Sequence, residues 1–460
     1  MSDAAIVLAA GKGTRMRSAL PKVLHRLAGK TMLEHVLDGL LSEGFVCPAV
    51  VVGYGAEHIE RVTGARCRYI PQTEQLGTGH AGRVALDTLP AEVERVVLVY
   101  GDAPLIPAHA VRDMLELQRN TRVPVVLLTT RVADTRGFGR VIRDESNDPV
   151  ALVEESDLLP EQHAIDEVNL GAYVFDAGFL RRCLPLLRPH LPKGEYYLTD
   201  VVAMSARDGT KAVALEIDGG VDVMGVNDLI QLEQASRTVY DRSHRRLMRN
   251  GVTIVNSAST FIDEDVRIAA DSVILPFSLI SGQSVIGTGC TIGPHATITA
   301  SQIGDRCTVV ASTVENSKIG DDVCIGPYAH LRAGAHVENG VEIGNYAEIK
   351  QSTIGAGTKI HHFSYLGDAE VGANVNIGAG TVTCNFDGMR KHRTVVEDDA
   401  FIGSDTMLRA PVTIGAGAFT GAGSVVTRDV PSGSVAAGVP ARVIRRSVRS
   451  KTDSETERRK

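Results

Sequence analysis

Branched aliphatic side chains return every sixth residue through the second half of this chain: Ile286, Ile292 and Ile298, then Ile319, Ile325, Leu331, Val337, Ile343 and Ile349, then Ile402, Leu408 and Ile414. Glycine follows many of these positions, as in Ile319-Gly320, Ile325-Gly326 and Ile377-Gly378. This period is the hexapeptide repeat of a parallel β-helix. Three short strands close one triangular coil of roughly 18 residues with the aliphatics inside, and each coil touches only its neighbours.

The repeat fails between 383 and 393, where TCNFDGMRKHR is polar and carries Gly388 and several charges. A loop thrown out of a regular solenoid is a candidate binding face. A basic tail from Arg442 on ends the sequence. It is expected to be solvated and mobile, with charge that can help hold an anionic ligand.

The first half has another pattern. Short apolar runs at 5–9, 49–52, 95–99 and 125–129 alternate with amphipathic stretches such as 32–42 and 79–88. Such alternation predicts an open, largely parallel sheet with helices on both faces. Ligands of such sheets gather at the carboxyl ends of strands. Two segments sit there: IVLAAGKGTRM from Ile6 to Met16, and Tyr100-Gly101-Asp102. Gly11 and Gly13 would let backbone N–H groups approach a phosphate, helped by the positive end of a following helix. The spacing is neither that of a Walker loop nor GxGxxG. By itself it fits a phosphate site and a tight strand-to-helix turn about equally. Between the halves, LIQLEQASRTVYDRSHRRLMRN repeats Leu229, Leu232, Ala235 and Val239 at helical spacing. The expected organisation is therefore an α/β domain over 1–226, a helical linker over 227–250 and a β-helix over 251–460.

With 460 residues, two or three domains are expected. A formal net charge of −7 argues against a general nucleic-acid binder. Seven cysteines (Cys47, Cys67, Cys183, Cys290, Cys307, Cys324 and Cys384) include no CxxC pair, as expected of reduced thiols rather than a disulfide framework or zinc site. The first apolar stretch lacks a basic leader, and no run approaches the roughly 20 apolar residues of a membrane span. The expectation is a cytoplasmic protein without membrane or nucleic-acid partners.

LAAGKGTRM, followed by LPKVLH at 20–25, resembles the signature of nucleotide-sugar pyrophosphorylases. With QTEQLGTGHA, YGDAPL, the hexapeptides and HHFSYLGDAEVGANVNIGAGTVTCNFDG in the same order, nearly the whole chain resembles the family of bacterial bifunctional UDP-N-acetylglucosamine pyrophosphorylases/glucosamine-1-phosphate N-acetyltransferases. The resemblance implies a Rossmann-like nucleotidyltransferase domain, a connecting helix and a β-helix wound left-handed. It further implies acetyl transfer from acetyl-CoA to glucosamine 1-phosphate, then uridylyl transfer from UTP with release of pyrophosphate. The product would feed peptidoglycan and lipopolysaccharide precursors.

By the same resemblance, Leu8, Ala9, Ala10 and Gly11 line the nucleotide site, with Tyr100 and Gly101 beside it. Arg15 and Lys22 act on the phosphates, and Gln72, Gly77 and Thr78 recognise uracil. Gly139, Glu154 and Asn169 hold the sugar and its N-acetyl group, and Asp102 and Asn227 are Mg²⁺ ligands, both hard oxygen donors. In the second half His362 is the catalytic base, a role for which histidine suits an amine that must be neutral to attack. Arg332, Lys350, Tyr365 and Asn376 bind glucosamine 1-phosphate; Ala379, Asn385, Phe386, Ser404, Ala422 and Arg442 lie at or near acetyl-CoA. A homotrimer sharing acetyltransferase sites between subunits is implied. Two departures stand out: Phe386 replaces a frequent tyrosine, and Gly438 stands where some members carry arginine. Two rival readings keep the hexapeptides but not the second activity: a single-function nucleotidyltransferase with a regulatory β-helix, and a trimerising scaffold. A thymidylyl- or guanylyltransferase would share the glycine loop.

Overall fold

A computed structural model describes residues 2–446, so the end of the basic tail, 447–460, lies outside the described residues. The chain forms two compact units, one running to Val239 and the other from Tyr240. The helix Leu229–Arg249 contains the division.

The first unit is built on a nine-stranded sheet. Its central path runs Ala212–Glu216, Val125–Arg131, Glu167–Asp176, Val93–Tyr100, Ser2–Leu8, Ala49–Val52 and Arg68–Pro71. All neighbours are parallel except Glu167–Asp176, which runs against both of its partners. The central strands are apolar on both faces, as a sheet covered on both sides requires. Val50, Val97 and Val126 pack into one core, and Ile6, Val51, Leu98 and Leu127 into the other. Helices Met32–Ser42 and Thr78–Leu86 form where the amphipathic stretches predict them. The first is capped by Thr31 and Glu34 in a reciprocal box.

Ser2–Leu8 lies between Ala49–Val52 and Val93–Tyr100, where the strand order reverses. Such a reversal opens a crevice at the carboxyl edge. Leu8 pairs with Tyr100 there, and Gly101 N–H donates to the Leu8 carbonyl at 2.9 Å. The register therefore sets the glycine loop beside Asp102. The loop differs from expectation in one respect. Only a single 3-10 turn, Thr14–Met16, follows Gly13, so no helix dipole is aimed at the loop.

In the second unit the hexapeptides contribute strands that stack into three ladders of twelve, ten and nine, parallel throughout except for the last pair of the longest. These are the faces of a left-handed parallel β-helix. The first face is the ladder that starts at Thr253–Ile254, the second starts at Phe261–Ile262, and the third at Arg267–Ile268. The sixth-residue aliphatics point inward: Ile286, Ile292, Ile298, Leu331, Ile349, Ile402, Leu408 and Ile414 are at most 2 % exposed. The first-face ladder ends in an antiparallel hairpin, Val435–Gly438 with Ala441–Arg445.

Candidate active sites

The first candidate site lies at the carboxyl edge of the mixed sheet. Gly13 has φ 64°, and a Cβ there would lie 2.5 Å from Lys22 Cβ, so glycine lets the loop lie against Lys22. Lys22 is 9 % exposed. Its ammonium donates to Asp102 Oδ2 and, at 3.0 Å, to Asn227 Oδ1. Arg15 Nη2 donates to the same Asn227 oxygen at 2.9 Å. Asn227 is held in turn by its backbone N–H to Gln231 Oε1 at 2.7 Å and by Nδ2 to the Gly137 carbonyl at 3.4 Å. Four of the residues expected here, from widely separated parts of the sequence, meet at one point.

The other expected residues surround them. Gln72 is buried and donates through Nε2 to the Gly77 carbonyl at 3.2 Å. Gly77, at φ 97°, starts the helix Thr78–Leu86; a Cβ on it would lie 2.6 Å from the Tyr196 carbonyl oxygen. Thr78 Oγ1 accepts from Leu198 N–H at 3.0 Å. Asn169 donates through Nδ2 to Tyr173 OH at 2.6 Å, and its backbone N–H reaches the Gly139 carbonyl at 3.0 Å. Burial raises the Glu154 carboxyl above its ordinary value, against a hydrogen bond from Thr199 at 3.4 Å. Ala9 and Ala10 are buried, whereas Gly11 is exposed, and a Cβ on it would meet nothing within 4 Å.

The donor set fits a hard divalent cation. Asp102 and Asn227 offer two oxygens, and the Lys22 ammonium already stands on both as a cation. Among the described residues no group of three or more His, Cys, Asp or Glu could hold a metal.

The second candidate site lies on the β-helix. Arg332 and Lys350 stack on successive coils of the second face, followed by Tyr365–Gly367 on the next. The interrupting loop is a tight hairpin. Asp387 Oδ1 accepts from Met389 and Arg390 N–H groups, each at 2.8 Å, around Gly388 at φ 97°. A bridge between Phe386 and Lys391 closes it. The hairpin returns Lys391 to Lys350, and this proximity lowers the Lys350 ammonium from its ordinary value, with Arg332 adding to the effect. Arg332, paired with Glu348 at 2.8 Å, and the two lysines beside Asp368 make a cation-rich patch suited to an anion. Asn385 Nδ2 joins the cluster by donating to Asp368 Oδ2 at 2.5 Å and lies 3.5 Å from Tyr365 OH. Lys391 was absent from the residues expected from the sequence. Its position in a charged break of the repeat was the available signal.

His362 ends the first-face strand Lys359–His362 and pairs with Asn345 below. The register continues upward: Ile360 pairs with Ile377, Ile377 with Ile402, and Ile402 with Thr420. Two residues beyond each, the same corner carries His362, Ala379, Ser404 and Ala422 on successive coils. The histidine thus stands at the foot of a column of small side chains. His361, by contrast, bonds Glu342 Oε2 at 2.8 Å on the same face. Asn376 starts a first-face strand, so it sits on a different face from Arg332, Lys350 and Tyr365. Arg442 lies in the terminal hairpin and donates to the Ala441 carbonyl at 3.0 Å. Neither has a contact to the cation cluster within the described chain.

A crevice loop on a mixed αβ sheet and a small-residue column on a hexapeptide solenoid define a nucleotidyltransferase joined to an acyltransferase. The MobA-like NTP transferase domain family matches residues 5–196, and the bacterial transferase hexapeptide family matches 265–300, 316–351 and 393–428. The chain is 45 % identical to the bifunctional protein GlmU of Heliobacterium modesticaldum over 94 % of each chain. It is 44 % identical to that of Carboxydothermus hydrogenoformans, over 94 % of this chain and 96 % of the other. Geobacillus thermodenitrificans GlmU is also 44 % identical, over 94 % and 95 %. The chain belongs to the bifunctional GlmU family, and is both an acetyltransferase and a uridylyltransferase of UDP-N-acetylglucosamine synthesis. No helix among the described residues is long and apolar enough to cross a membrane.

Proposed function

We propose that the two reactions run at the two sites described, with the acetylated sugar phosphate released from one and rebound at the other. The column of His362, Ala379, Ser404 and Ala422 carries the acetyltransferase reading, since only a row of small side chains leaves space for a thioester above a base. His362 takes a proton from the glucosamine amine as its nitrogen attacks the thioester carbonyl, and returns it to the departing CoA sulfur. Arg332, Lys350 and Lys391 hold the sugar phosphate, and Tyr365 and Asn376 orient the ring. Ala379, Asn385, Phe386, Ser404, Ala422 and Arg442 face acetyl-CoA; Phe386 does so without a hydroxyl. Because Asn376 and Arg442 lie away from the cation cluster within one chain, a homotrimer would complete each site with neighbouring copies.

At the nucleotide site a phosphate oxygen of N-acetylglucosamine 1-phosphate attacks the α-phosphorus of UTP and pyrophosphate leaves. Positioning and charge neutralisation supply most of the acceleration in such a transfer. Arg15 and Lys22 meet the leaving phosphates, the backbone of Leu8–Gly11 with Tyr100 and Gly101 lines the nucleotide, and Gln72, Gly77 and Thr78 read uracil. Gly139, Glu154 and Asn169 hold the acceptor. Asp102 and Asn227 would hold Mg²⁺, which supplies charge neutralisation when bound. We assign the uridylyltransferase domain to 1–226, the linker to 227–250, the acetyltransferase domain to 251–460, and the site of action to the cytoplasm, where UTP and acetyl-CoA are found.

The test separates the activities. His362→Ala abolishes sugar-dependent release of CoA thiol and leaves pyrophosphate release from UTP and N-acetylglucosamine 1-phosphate intact; Asp102→Ala does the reverse. Loss of both activities from either folded variant overturns the two-site assignment.

A further inference from the structure

Four arginines lie on the strands Val125–Arg131 and Arg140–Arg143 and the turn between them: Arg131, Arg136, Arg140 and Arg143. Three have carboxylate partners. Arg131 pairs with Asp166 at 2.6 Å, Arg136 with Asp134 at 2.6 Å and Arg143 with Glu167 at 2.6 Å. Arg140, 2 % exposed, is the most buried of them and forms no ion pair within the described chain. Burial lowers its pKa from the ordinary arginine value, only partly offset by the distant charge of Glu155. A buried charge without a counter-ion costs several kcal/mol and is a poor device for stability.

Its guanidinium instead closes a turn. Nη1 donates to the Phe138 carbonyl, Nη2 donates to Thr135 Oγ1 at 2.7 Å, and Nε is buried without a partner. The strand Arg140–Arg143 pairs on both sides, Arg140 with Val168 and with Val153, so the side chain is anchored at its base. The turn it closes carries two working carbonyls. Gly137 accepts from Asn227 Nδ2 at 3.4 Å, and Gly139 accepts from Asn169 N–H at 3.0 Å.

We propose that Arg140 is a positioning residue for the sugar-phosphate acceptor of uridylyl transfer. Its planar fork fixes the 135–139 turn, and through the Gly139 carbonyl, which accepts from Asn169 N–H, it sets the acceptor pocket. Lysine does not replace it, because a tetrahedral ammonium lacks the rigid planar fork that spans the Phe138 carbonyl and Thr135 Oγ1, and leaves only the buried stem in place. The inference rests on the assignment of the acceptor to Gly139, Glu154 and Asn169.

The experiment compares Arg140→Met, Arg140→Lys and Asn169→Ala in steady-state uridylyl transfer, with Tm recorded. Methionine fills the buried space, and replacing a buried charge by an apolar side chain of similar volume preserves folding. Arg140→Met raises KM for N-acetylglucosamine 1-phosphate about tenfold and lowers kcat, while KM for UTP stays within about twofold. Arg140→Lys rescues Tm but not that KM. Thr135→Val, which removes one acceptor from the fork, shifts the same KM in the same direction by less. Equal shifts in both KM values, or none, overturn the proposal. If Asn169→Ala also leaves the acceptor KM unchanged, the acceptor assignment has failed; if Asn169→Ala raises it and Arg140→Met does not, the positioning role alone has failed.

Discussion

Lys22 donates from its ammonium to the carboxylate of Asp102, 80 residues further along the chain, and the same nitrogen reaches Asn227. The lysine thereby occupies the two oxygens proposed above for a divalent cation. Two cations cannot share one carboxylate oxygen at hydrogen-bond distance without strong repulsion. A divalent cation proposed for Asp102 Oδ2 and Asn227 Oδ1 would compete with Lys22 for them.

Lys22→Met accordingly lets nucleotide-free protein bind Mn²⁺ more tightly, by about tenfold, as a removed ion pair of about 1.4 kcal/mol would give. Electron paramagnetic resonance of free Mn²⁺ reads this directly. Uridylyl transfer falls in the same variant by at least about 10², because the leaving phosphates lose a cation. Equal Mn²⁺ affinity in the two proteins would show that the lysine is no barrier to the metal.

Lys391→Ala raises KM for glucosamine 1-phosphate in acetyl transfer and leaves uridylyl transfer unchanged. The second expected effect is on Lys350: freed of its neighbour, it titrates higher than in the parent protein, measurable by NMR of its side chain. A KM unmoved by the substitution would remove Lys391 from the phosphate site.

Ile360, fully buried, lies in the coil that presents His362. Ile360→Ala removes a methylene-rich contact from a core with no slack, at a cost of about 2–5 kcal/mol. Tm of the β-helix falls and acetyl transfer falls with it, since the register of His362 under Ala379 depends on that coil. An acetyltransferase rate equal to the parent's would show that the histidine column is set by other coils.

His244 gives a pH dependence. It is 1 % exposed, both ring nitrogens lack partners, and burial lowers its pKa from 6.5, with Asp241 opposing. Tyr240 stacks on it at 6.4 Å between centroids and in turn meets Phe261 edge-on. A lowered folded pKa means that the unfolded chain binds the proton more readily, so stability is complete above about pH 6.5 and declines as pH falls below it. The Tm of the parent therefore drops as pH falls below about 6.5, whereas that of His244→Leu changes less over the same range. Parallel curves would assign the acid sensitivity elsewhere.

Part of this was legible from residue types alone. The sixth-residue aliphatics specified the three ladders because each coil is stabilised by its neighbours, so a local period contains the packing rule. The same register carried His362, Ala379, Ser404 and Ala422 into one column. The glycine loop was harder: Gly11 and Gly13 marked a special backbone, yet the expected helix after it is one 3-10 turn, since Met16 is buried and the chain turns at Arg17 with φ 49°. Lys391 stayed hidden because a charge in a polar loop resembles any other until the hairpin folds back on Lys350.

The sequence by itself determined the two architectures and the order of the units, because periodicity and short-range backbone chemistry are written locally; the pair of reactions came through the resemblance of its motifs to a known family. Only the tertiary structure decided that Lys22, Asp102 and Asn227 share one point, that Asn376 and Lys350 lie on different faces, and that the buried Arg140 has no ion-pair partner among the described residues. Those relations depend on strand register and on chain segments far apart in sequence, where the energy of a contact is set by the neighbours that folding supplies.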